Sequence, residues 1–168
     1  DSLIILDVSE ESFTICSGFF TKANDCIATK GFLHIQILID GQQIDLYNTH
    51  LDAGNTKSDI QSRKLQLEHL SDYIKENSAG HPIIIGGDLN INLYDNNEMK
   101  NLNLFLDHTK LRIVDVVNED LGIEVMLDYL LVRNSDKVKI KVGNGKIDYS
   151  FQGLSDHPAI TSTLIIGK

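Results

Sequence analysis

Asp88 and Asn90 follow a short run of β-branched residues and are separated by one position. Residues 83–85 are too few for a helix and fit a strand buried on both faces. Gly86 and Gly87 then end the strand and let a ligand approach the backbone closely. In extended geometry Asp88 and Asn90 point to the same side, which predicts a carboxylate and an amide that suit a divalent cation, a phosphate or a polarised water. The alternative is a polar turn.

A histidine and an acid lie at two other places where strands are expected. His50 ends a predicted strand, where an imidazole can donate a proton or hold a phosphate oxygen near neutral pH. Asp128 lies inside a hydrophobic segment, and a buried carboxylate is costly unless it is paired. A histidine is a suitable partner, because the carboxylate fixes its tautomer and raises its basicity. The alternatives are a satisfied surface histidine and an aspartate on the solvent face of an edge strand.

Asp156 and His157 are adjacent in a turn that precedes the last predicted strand. Two neighbouring side chains in a turn cannot both face one partner, so one can reach a metal ion while the other reaches water or substrate. The alternative is a capped turn before a strand that starts at Pro158. The remaining histidines have no acidic partner that the sequence can assign and are predicted to be surface residues: His34, His69, His81 and His108.

The composition indicates one soluble globular domain. The chain has 168 residues, 42% of them hydrophobic and 23% charged, and no apolar run is long enough to cross a bilayer. The formal net charge of −9 argues against a nucleic-acid-binding domain that works through a broad basic face. A phosphodiester substrate at a metal site is still compatible with it, because a bound cation inverts the local electrostatics.

The two cysteines, Cys16 and Cys26, fit no metal-ligand spacing. They either pair across a hairpin, if the protein is secreted, or remain thiols, and the thiol interpretation is favoured here. The sequence does not decide between a cytoplasmic and a secreted location.

The elements that position these residues are predicted to be mostly strands. Helices are expected from Ser58, with Gln61 as its capping partner, to about residue 75, and over residues 97–108. A turn at residues 9–11 separates the first two strands, and Asn144-Gly145 forms a hairpin turn. Strands are predicted over residues 3–6, 13–15, 31–40, 43–50, 83–85, 113–117, 125–132, 138–142, 147–151 and 159–166. This order predicts an α/β layered domain.

Four motifs in this order resemble the endonuclease/exonuclease/phosphatase family of metal-dependent phosphodiesterases: Asn48-Thr49-His50-Leu51, Gly87-Asp88-Leu89-Asn90, Leu127-Asp128-Tyr129 and Ser155-Asp156-His157-Pro158. The resemblance extends from about Leu3 to the end of the chain. Within the family, residues 25–32 and 49–54 look most like the sphingomyelinase branch. The fold that the resemblance implies is a two-sheet β-sandwich flanked by helices, as in deoxyribonuclease, formed by a single domain over residues 1–168.

The resemblance also implies a mechanism of phosphoric-ester hydrolysis. His157 would be the general base that deprotonates the attacking water, and Asp128 would orient its ring. Asp88 and Asn90 would position the water and the phosphoryl group, and His50 would stabilise or protonate phosphate oxygens.

Further expectations from the resemblance concern the cofactor and the substrate. The metal would be Mg²⁺, with Mn²⁺ as an alternative, and Asp156 and Asp88 would lie beside it. The substrate would be a phosphate ester, whether a lipid headgroup, a nucleic acid or an inositol phosphate.

One departure from the family pattern concerns the metal. Family members carry, earlier in the domain, a strand that ends in Asn and a Gln-Glu pair whose glutamate is the principal metal ligand, and neither is found in this sequence. Glu10 and Glu11 lie in a different context and do not take that role. The sheet is therefore expected to be incomplete at its N-terminal side. Three explanations are a fragment whose other piece lies elsewhere, which is favoured, a natural short form, and a chain that dimerises with a second copy of itself.

Two hypotheses of different classes follow. The first is Mg²⁺-dependent hydrolysis of a phosphodiester or a phosphomonoester, with a sphingomyelinase-like or nuclease-like substrate. The second is a catalytically impaired or silent family member that acts as a binding or interaction module, because the metal-binding glutamate segment is absent.

Overall fold

The structure is a computed structural model that describes residues 3–18, 26–117, 127–143, 145–150 and 153–167. These ranges contain two helices, α1 (Lys57–Asn77) and α2 (Asn96–Thr109). The strands are β1 (Leu3–Ser12), β2 (Gly31–Ile39), β3 (Gln42–His50), β4 (Ile83–Asp88), β5 (Arg112–Ile113), β6 (Val116–Val117), β7 (Asp128–Arg133), β8 (Lys139–Val142), β9 (Gly145–Asp148), β10 (Ala159–Thr161) and β11 (Leu164–Gly167). Neither helix of these ranges is long and apolar enough to cross a membrane.

A six-stranded sheet in the order β1-β2-β3-β4-β7-β5 forms the centre of the fold. Every pairing in it is antiparallel except that of β3 with β4, which is parallel. Parallel neighbours need a crossover connection, and α1 supplies it between these two strands. The carboxyl ends of β3 and β4 therefore lie side by side at one edge of the sheet.

Apolar side chains cover both faces of this sheet. On one face Leu70 of α1 and Leu102 of α2, each 0% exposed, belong to the same core cluster as Ile83 and Ile85 of β4. On the other face Val132 of β7 packs with residues of the small sheet formed by β8 and β11. These layers confirm the predicted α/β fold of stacked sheets with outer helices.

The first helix begins two residues earlier than predicted. Thr56 is the N-cap, and it forms a capping box with Asp59 rather than Ser58 with Gln61. The two residue pairs have the same i, i+3 spacing, and the pair nearer to the preceding loop, Thr56 with Asp59, caps the helix. The sequence predicts an apolar stripe of Ile60, Leu67, Leu70 and Ile74 on this helix; the last three are buried and Ile60 is half-buried.

Several strand predictions were wrong. Residues 9–11 are not a turn, because β1 runs unbroken through Ser12; charged residues are typical of an edge strand as well. Residues 113–117 and 159–166 each divide into two strands that join different sheets. The described strands on either side of residue 144 do not form a hairpin, because β8 pairs with β11 and β9 pairs with β10 and β6. Residues 118–126, 144, 151 and 152 lie outside the described residues.

Gly87 is required by the packing of β3 against β4. A Cβ atom at this position would lie 2.0 Å from the carbonyl oxygen of Thr49, and the residue has a φ of +144°. Both glycines belong to β4 rather than ending it. The sequence predicts that a ligand approaches the backbone closely at both Gly86 and Gly87. Only Gly86 has open space for such an approach, since no atom lies within 4 Å of its Cβ position.

Candidate active site

Three predicted site residues lie in one row across the sheet. The β3–β4 register pairs His50 with Asp88, and the β4–β7 register pairs Asp88 with Asp128. Directly opposed residues of neighbouring strands point to the same face, so the three side chains are adjacent. His50 Nε2 lies 3.5 Å from Asp88 Oδ2. Sheet register thus brings together motifs that are far apart in the sequence.

His157 completes this row from the segment that precedes β10. Its Nδ1 donates a hydrogen bond of 2.6 Å to Asp128 Oδ2 and lies 3.8 Å from Asp88 Oδ2. The histidine partner that the sequence predicted for Asp128 is therefore present. Asp128 itself is not inside a buried strand, because it is the first residue of β7 and its side chain is 30% exposed.

The surroundings of His157 favour its protonated form. Partial burial lowers the pKa of His157, but the hydrogen bond and negative charge of Asp128, with the charges of Asp88 and Asp156, outweigh it and raise the pKa above its usual 6.5. Because Nδ1 donates to Asp128, the neutral ring carries its lone pair on Nε2. His157 can therefore accept a proton through Nε2 while Asp128 fixes its tautomer.

Asn90 does not extend the strand as predicted. Its φ is +51°, so the chain turns after Asp88, and the two side chains do not follow the alternation of a strand. The Asn90 backbone N–H donates to Asp88 Oδ1 over 2.8 Å, and Asn90 Nδ2 donates to the carbonyl oxygen of Leu51 over 3.1 Å. Asn90 therefore links the ends of β3 and β4 beside the row.

A cleft of about 680 Å³ opens next to this row. It is lined by parts of β1, β2 and β3 and by residues 28–30, and His50 forms part of its wall. Glu10 and Glu11 contribute acidic groups to the lining and Lys30 a basic one. Lys30 Nζ also donates to the carbonyl oxygen of Leu51 over 3.3 Å. A ligand in this cleft would therefore contact His50 and charged groups of both signs.

The sequence of this chain is similar to those of proteins of known family. Residues 4–120 match the sequence profile of Endonuclease/Exonuclease/phosphatase family 2. The chain belongs to the endonuclease/exonuclease/phosphatase family. A stretch of 74 residues is 32% identical to a sphingomyelinase of Mycobacterium tuberculosis (strain CDC 1551 / Oshkosh), and it covers 44% of this chain and 14% of that protein. The chain thus matches a small part of the length of this curated relative.

Solved structures of family members share the fold. A beta toxin from Staphylococcus aureus superposes with a TM-score of 0.72 at 19% identity, covering 95% of this chain and 64% of the toxin chain. One mutant of this beta toxin was crystallised with bound magnesium ions. D. rerio TDP2, complexed with a single-strand DNA product, gives a TM-score of 0.64 at 17% identity and covers 97% and 68% of the two chains. Family membership supports phosphodiester hydrolysis as the general class of reaction.

Proteins of this family are generally metal-dependent. Among the described residues, no group of three or more His, Cys, Asp or Glu side chains is arranged to hold a metal ion. Asp88 Oδ1 is engaged by Asn90, and Asp156 is exposed at the turn before β10. Mg²⁺ commonly uses one or two protein carboxylates together with water and phosphate oxygens. Asp88 and Asp156 are therefore suitable as part of such an open site and do not form a complete one.

Sequence reasoning missed a group of buried polar residues behind the row. Arg63 and Gln66 of α1 and Glu98 of α2 are each at most 4% exposed. The sequence does carry a signal of this burial: Arg63 lies four residues before Leu67 on the apolar stripe of its helix, and Glu98 lies four residues before Leu102. Polar residues at helical spacing from an apolar stripe lie on the same face as that stripe and are therefore expected to have buried partners.

The interpretation of the other histidines and of the cysteines also needs correction. His34 is 3% exposed, and both His34 and His81 have Asp45 as a neighbour, at 3.8 and 3.0 Å respectively. His69 Nε2 lies 3.7 Å from Glu11, whereas His108 is exposed as predicted. The sequence could not assign these acids because they lie on other elements.

Cys16 and Cys26 form a disulfide, contrary to the thiol interpretation. Their separation of ten positions in the sequence gave no signal that the two cysteines converge.

Proposed function

We propose that this chain hydrolyses a phosphodiester with a water molecule activated by His157. The observation that carries the proposal is the 2.6 Å hydrogen bond from His157 Nδ1 to Asp128, made within 3.8 Å of Asp88. In this mechanism Nε2 of His157 takes a proton from water, and the resulting hydroxide attacks phosphorus. The bond from phosphorus to the leaving oxygen then breaks. Asp128 stabilises the imidazolium that forms.

The other members of the row act on the phosphate. His50, whose side chain is 55% exposed beside Asp88, binds a phosphate oxygen or gives a proton to the leaving oxygen. Asp88 orients the attacking water. Asn90 holds the end of β3 through Leu51 and positions the phosphoryl group with its remaining amide atoms.

The proposed metal is Mg²⁺, with Mn²⁺ as an alternative, and its proposed protein ligands are Asp88 and Asp156. Support comes from family membership, from the oxygen donors beside His157 and from the magnesium-bound beta toxin mutant. When bound, the cation would neutralise negative charge on the phosphate.

The proposed substrate is a phosphodiester of the sphingomyelin type. The sequence similarity to a mycobacterial sphingomyelinase supports a lipid headgroup, and the net charge of −9 disfavours a long nucleic acid as substrate. Nucleic acid is the second candidate, because D. rerio TDP2 with its DNA product shares the fold. A catalytically silent binding module is the rival from another class, and the incomplete metal site of the described residues is the observation in its favour.

A hydrolysis screen separates these possibilities. We would assay the chain with bis-p-nitrophenyl phosphate, sphingomyelin vesicles and plasmid DNA, each with Mg²⁺, with Mn²⁺ and with EDTA. We expect turnover that depends on the cation and that falls by roughly 10²- to 10⁴-fold in His157→Ala, the usual contribution of a general base. His81→Ala is the matched control, since His81 also pairs with an aspartate but lies at the other end of the sheet. Turnover that His157→Ala leaves intact, or no turnover at all, would reject the proposal.

A further inference from the structure

Three loops around the row are tied to one helix by the buried polar residues introduced above. The loops are residues 51–55, which follow β3 and His50; residues 89–95, which follow β4 and Asp88; and residues 13–18, which follow β1. All three are fixed by two side chains of α1, Arg63 and Gln66, which we call the clasp.

Arg63 holds two of the loops at once. Its Nη1 donates to the carbonyl oxygens of Asp52 and Gly54, over 2.9 and 2.8 Å. Its Nη2 pairs with Glu98, whose other carboxylate oxygen accepts the backbone N–H of Asn92 over 2.7 Å. A planar guanidinium presents these donors on two separate nitrogens, whereas an ammonium group has all its donors on one nitrogen and cannot span the same acceptors.

Gln66 holds the third loop together with the first. Its Oε1 accepts the N–H of Asp52 over 3.0 Å, and its Nε2 donates to Asp52 Oδ1 over 2.7 Å and to the carbonyl oxygen of Ile15 over 2.9 Å. Asp52 Oδ2 in turn accepts the N–H of Ser17 over 2.6 Å. Asp52 is 0% exposed, so these bonds compensate for the burial of its carboxylate.

The clasp is connected to the row through one residue. Leu51 lies between His50 and Asp52, and its N–H donates to the carbonyl oxygen of Asp88 over 3.0 Å. Its carbonyl oxygen accepts from Asn90 Nδ2. The position of Leu51 therefore sets where His50 lies relative to Asp88, and the neighbouring Asp52 is held by both side chains of the clasp.

We infer that Arg63 and Gln66 are positioning residues for hydrolysis, which keep the ends of β3 and β4 in the relative placement that the reaction needs. This inference rests on the proposed function. Neither side chain touches the reacting atoms; each acts through the loops that carry His50, Asp88 and Asn90. A displacement of about 1 Å between such groups can cost about 10²-fold in rate.

Arg133 provides a matched control for Arg63. It is another arginine that binds several backbone carbonyls, and its partners are Ser78, His81 and Thr109, at the end of the sheet away from the row. Replacing either arginine by lysine removes hydrogen bonds to backbone carbonyls, although only Arg63 also pairs with a carboxylate, that of Glu98. Only Arg63→Lys removes bonds to the loops of the active site.

The test compares Arg63→Lys with Arg133→Lys by kinetics on bis-p-nitrophenyl phosphate and by amide hydrogen exchange. We expect Arg63→Lys to lower kcat by roughly 10- to 100-fold with KM changed by less than about threefold, and to speed exchange of the Leu51 and Asn92 amides by at least about tenfold. Arg133→Lys should keep kcat within about twofold at a comparable loss of Tm. Losses of kcat that track Tm equally in both variants would overturn the inference.

Two further measurements test the inference if Arg63→Lys does not fold or if the chain shows no turnover. If Arg63→Lys does not fold, Gln66→Met, which keeps the side-chain volume and removes the bonds to Asp52, is expected to give the same kcat loss and the same Leu51 exchange. If the unmodified chain hydrolyses none of the three substrates, the proposed function fails, and exchange alone decides on the clasp. Unchanged protection of Leu51 in Arg63→Lys and in Gln66→Met would then reject it.

Discussion

Two histidine–aspartate pairs lie at opposite ends of the central strands and can be compared directly. The first pair, His157–Asp128, stands at the carboxyl end of β4, and the second, His81–Asp45, at its amino end. Both have a ring nitrogen within hydrogen-bonding distance of a carboxylate, at 2.6 and 3.0 Å. A histidine–aspartate pair therefore occurs at each end of the same sheet.

The surroundings of the two pairs differ. Asp128 is 30% exposed and has a second histidine–carboxylate contact, between His50 and Asp88, beside it. Asp45 is 0% exposed, and the ring of its other neighbour, His34, stacks on Tyr47 at 4.3 Å. In the second pair the carboxylate is buried beside the stacked His34 and Tyr47 rings while His81 is 37% exposed, so Asp45 is suited to hold elements together. In the first pair both groups are partly exposed, and the neighbouring His50 lines a cleft of about 680 Å³ that could admit a phosphate.

The largest expected effect is a loss of kcat when the first pair is broken. Asp128→Ala should lower kcat by roughly 10²- to 10⁴-fold, because His157 loses the carboxylate that orients its ring and stabilises its charge. The free energy of unfolding should change little, since the pair is partly exposed. Kinetics on bis-p-nitrophenyl phosphate and urea unfolding measure the two quantities. Near-normal turnover by this variant would show that the first pair, like the second, only holds the structure together.

The opposite result is expected for the second pair. Asp45→Ala leaves His81 without its acceptor and removes the carboxylate that lies 3.8 Å from the buried His34, so it should reduce the free energy of unfolding by roughly 1–3 kcal/mol, the cost of a polar group left without its partner. Activity per folded molecule should be kept. Urea unfolding with active-site titration of the folded fraction checks this. A loss of kcat that exceeds the loss of folded protein would show that the second pair also acts on the reaction.

The disulfide distinguishes the two ends as well. Cys16 precedes Ser17, whose N–H binds Asp52 in the clasp, so reduction should loosen the end that carries His157 and leave the Asp45 end in place. The short loop predicts a loss of roughly 2–4 kcal/mol in the free energy of unfolding. The Cys16→Ser/Cys26→Ser double variant, compared with wild type with and without reductant, provides the measurement. Equal stability of all samples would contradict the pairing.

The smallest expected effect is the pH dependence of the second pair. Burial raises the pKa of Asp45, but hydrogen bonds from His34, Ser78 and His81 outweigh it and leave the pKa below the ordinary 3.8. A carboxyl whose pKa is lower in the folded state stabilises the fold above its unfolded pKa, and this contribution is lost as the pH falls below about 3.8. The gap in stability between wild type and Asp45→Asn should therefore narrow from pH 6 to pH 3. A constant gap would exclude a charged Asp45.

Local pattern predicted much of the fold, and the family resemblance implied the row of site residues. Both helices and the strands that became β2, β3 and β4 follow from periodicity, and the structure confirms them. The meeting of His50, Asp88, Asp128 and His157 was expected from their motifs and is set by register.

Long-range partners could not be predicted in the same way. Nothing within reach of His34 or His81 along the chain identifies Asp45, and nothing near Arg63 identifies Glu98, because sheet pairing and helix packing create these contacts. The turn at Asn90 was missed for a related reason. Its positive φ accompanies a contact with Leu51, which follows another strand, β3.

The central claim is that Asp128 acts on the reaction through His157, and a double-mutant cycle tests it most directly. Turnover would be measured for wild type, Asp128→Ala, His157→Ala and the double variant on one substrate. Residues that act as a unit are not additive, so the double variant should be about as slow as His157→Ala alone. Two losses that multiply in the double variant would show independent roles and would contradict the mechanism proposed for this site.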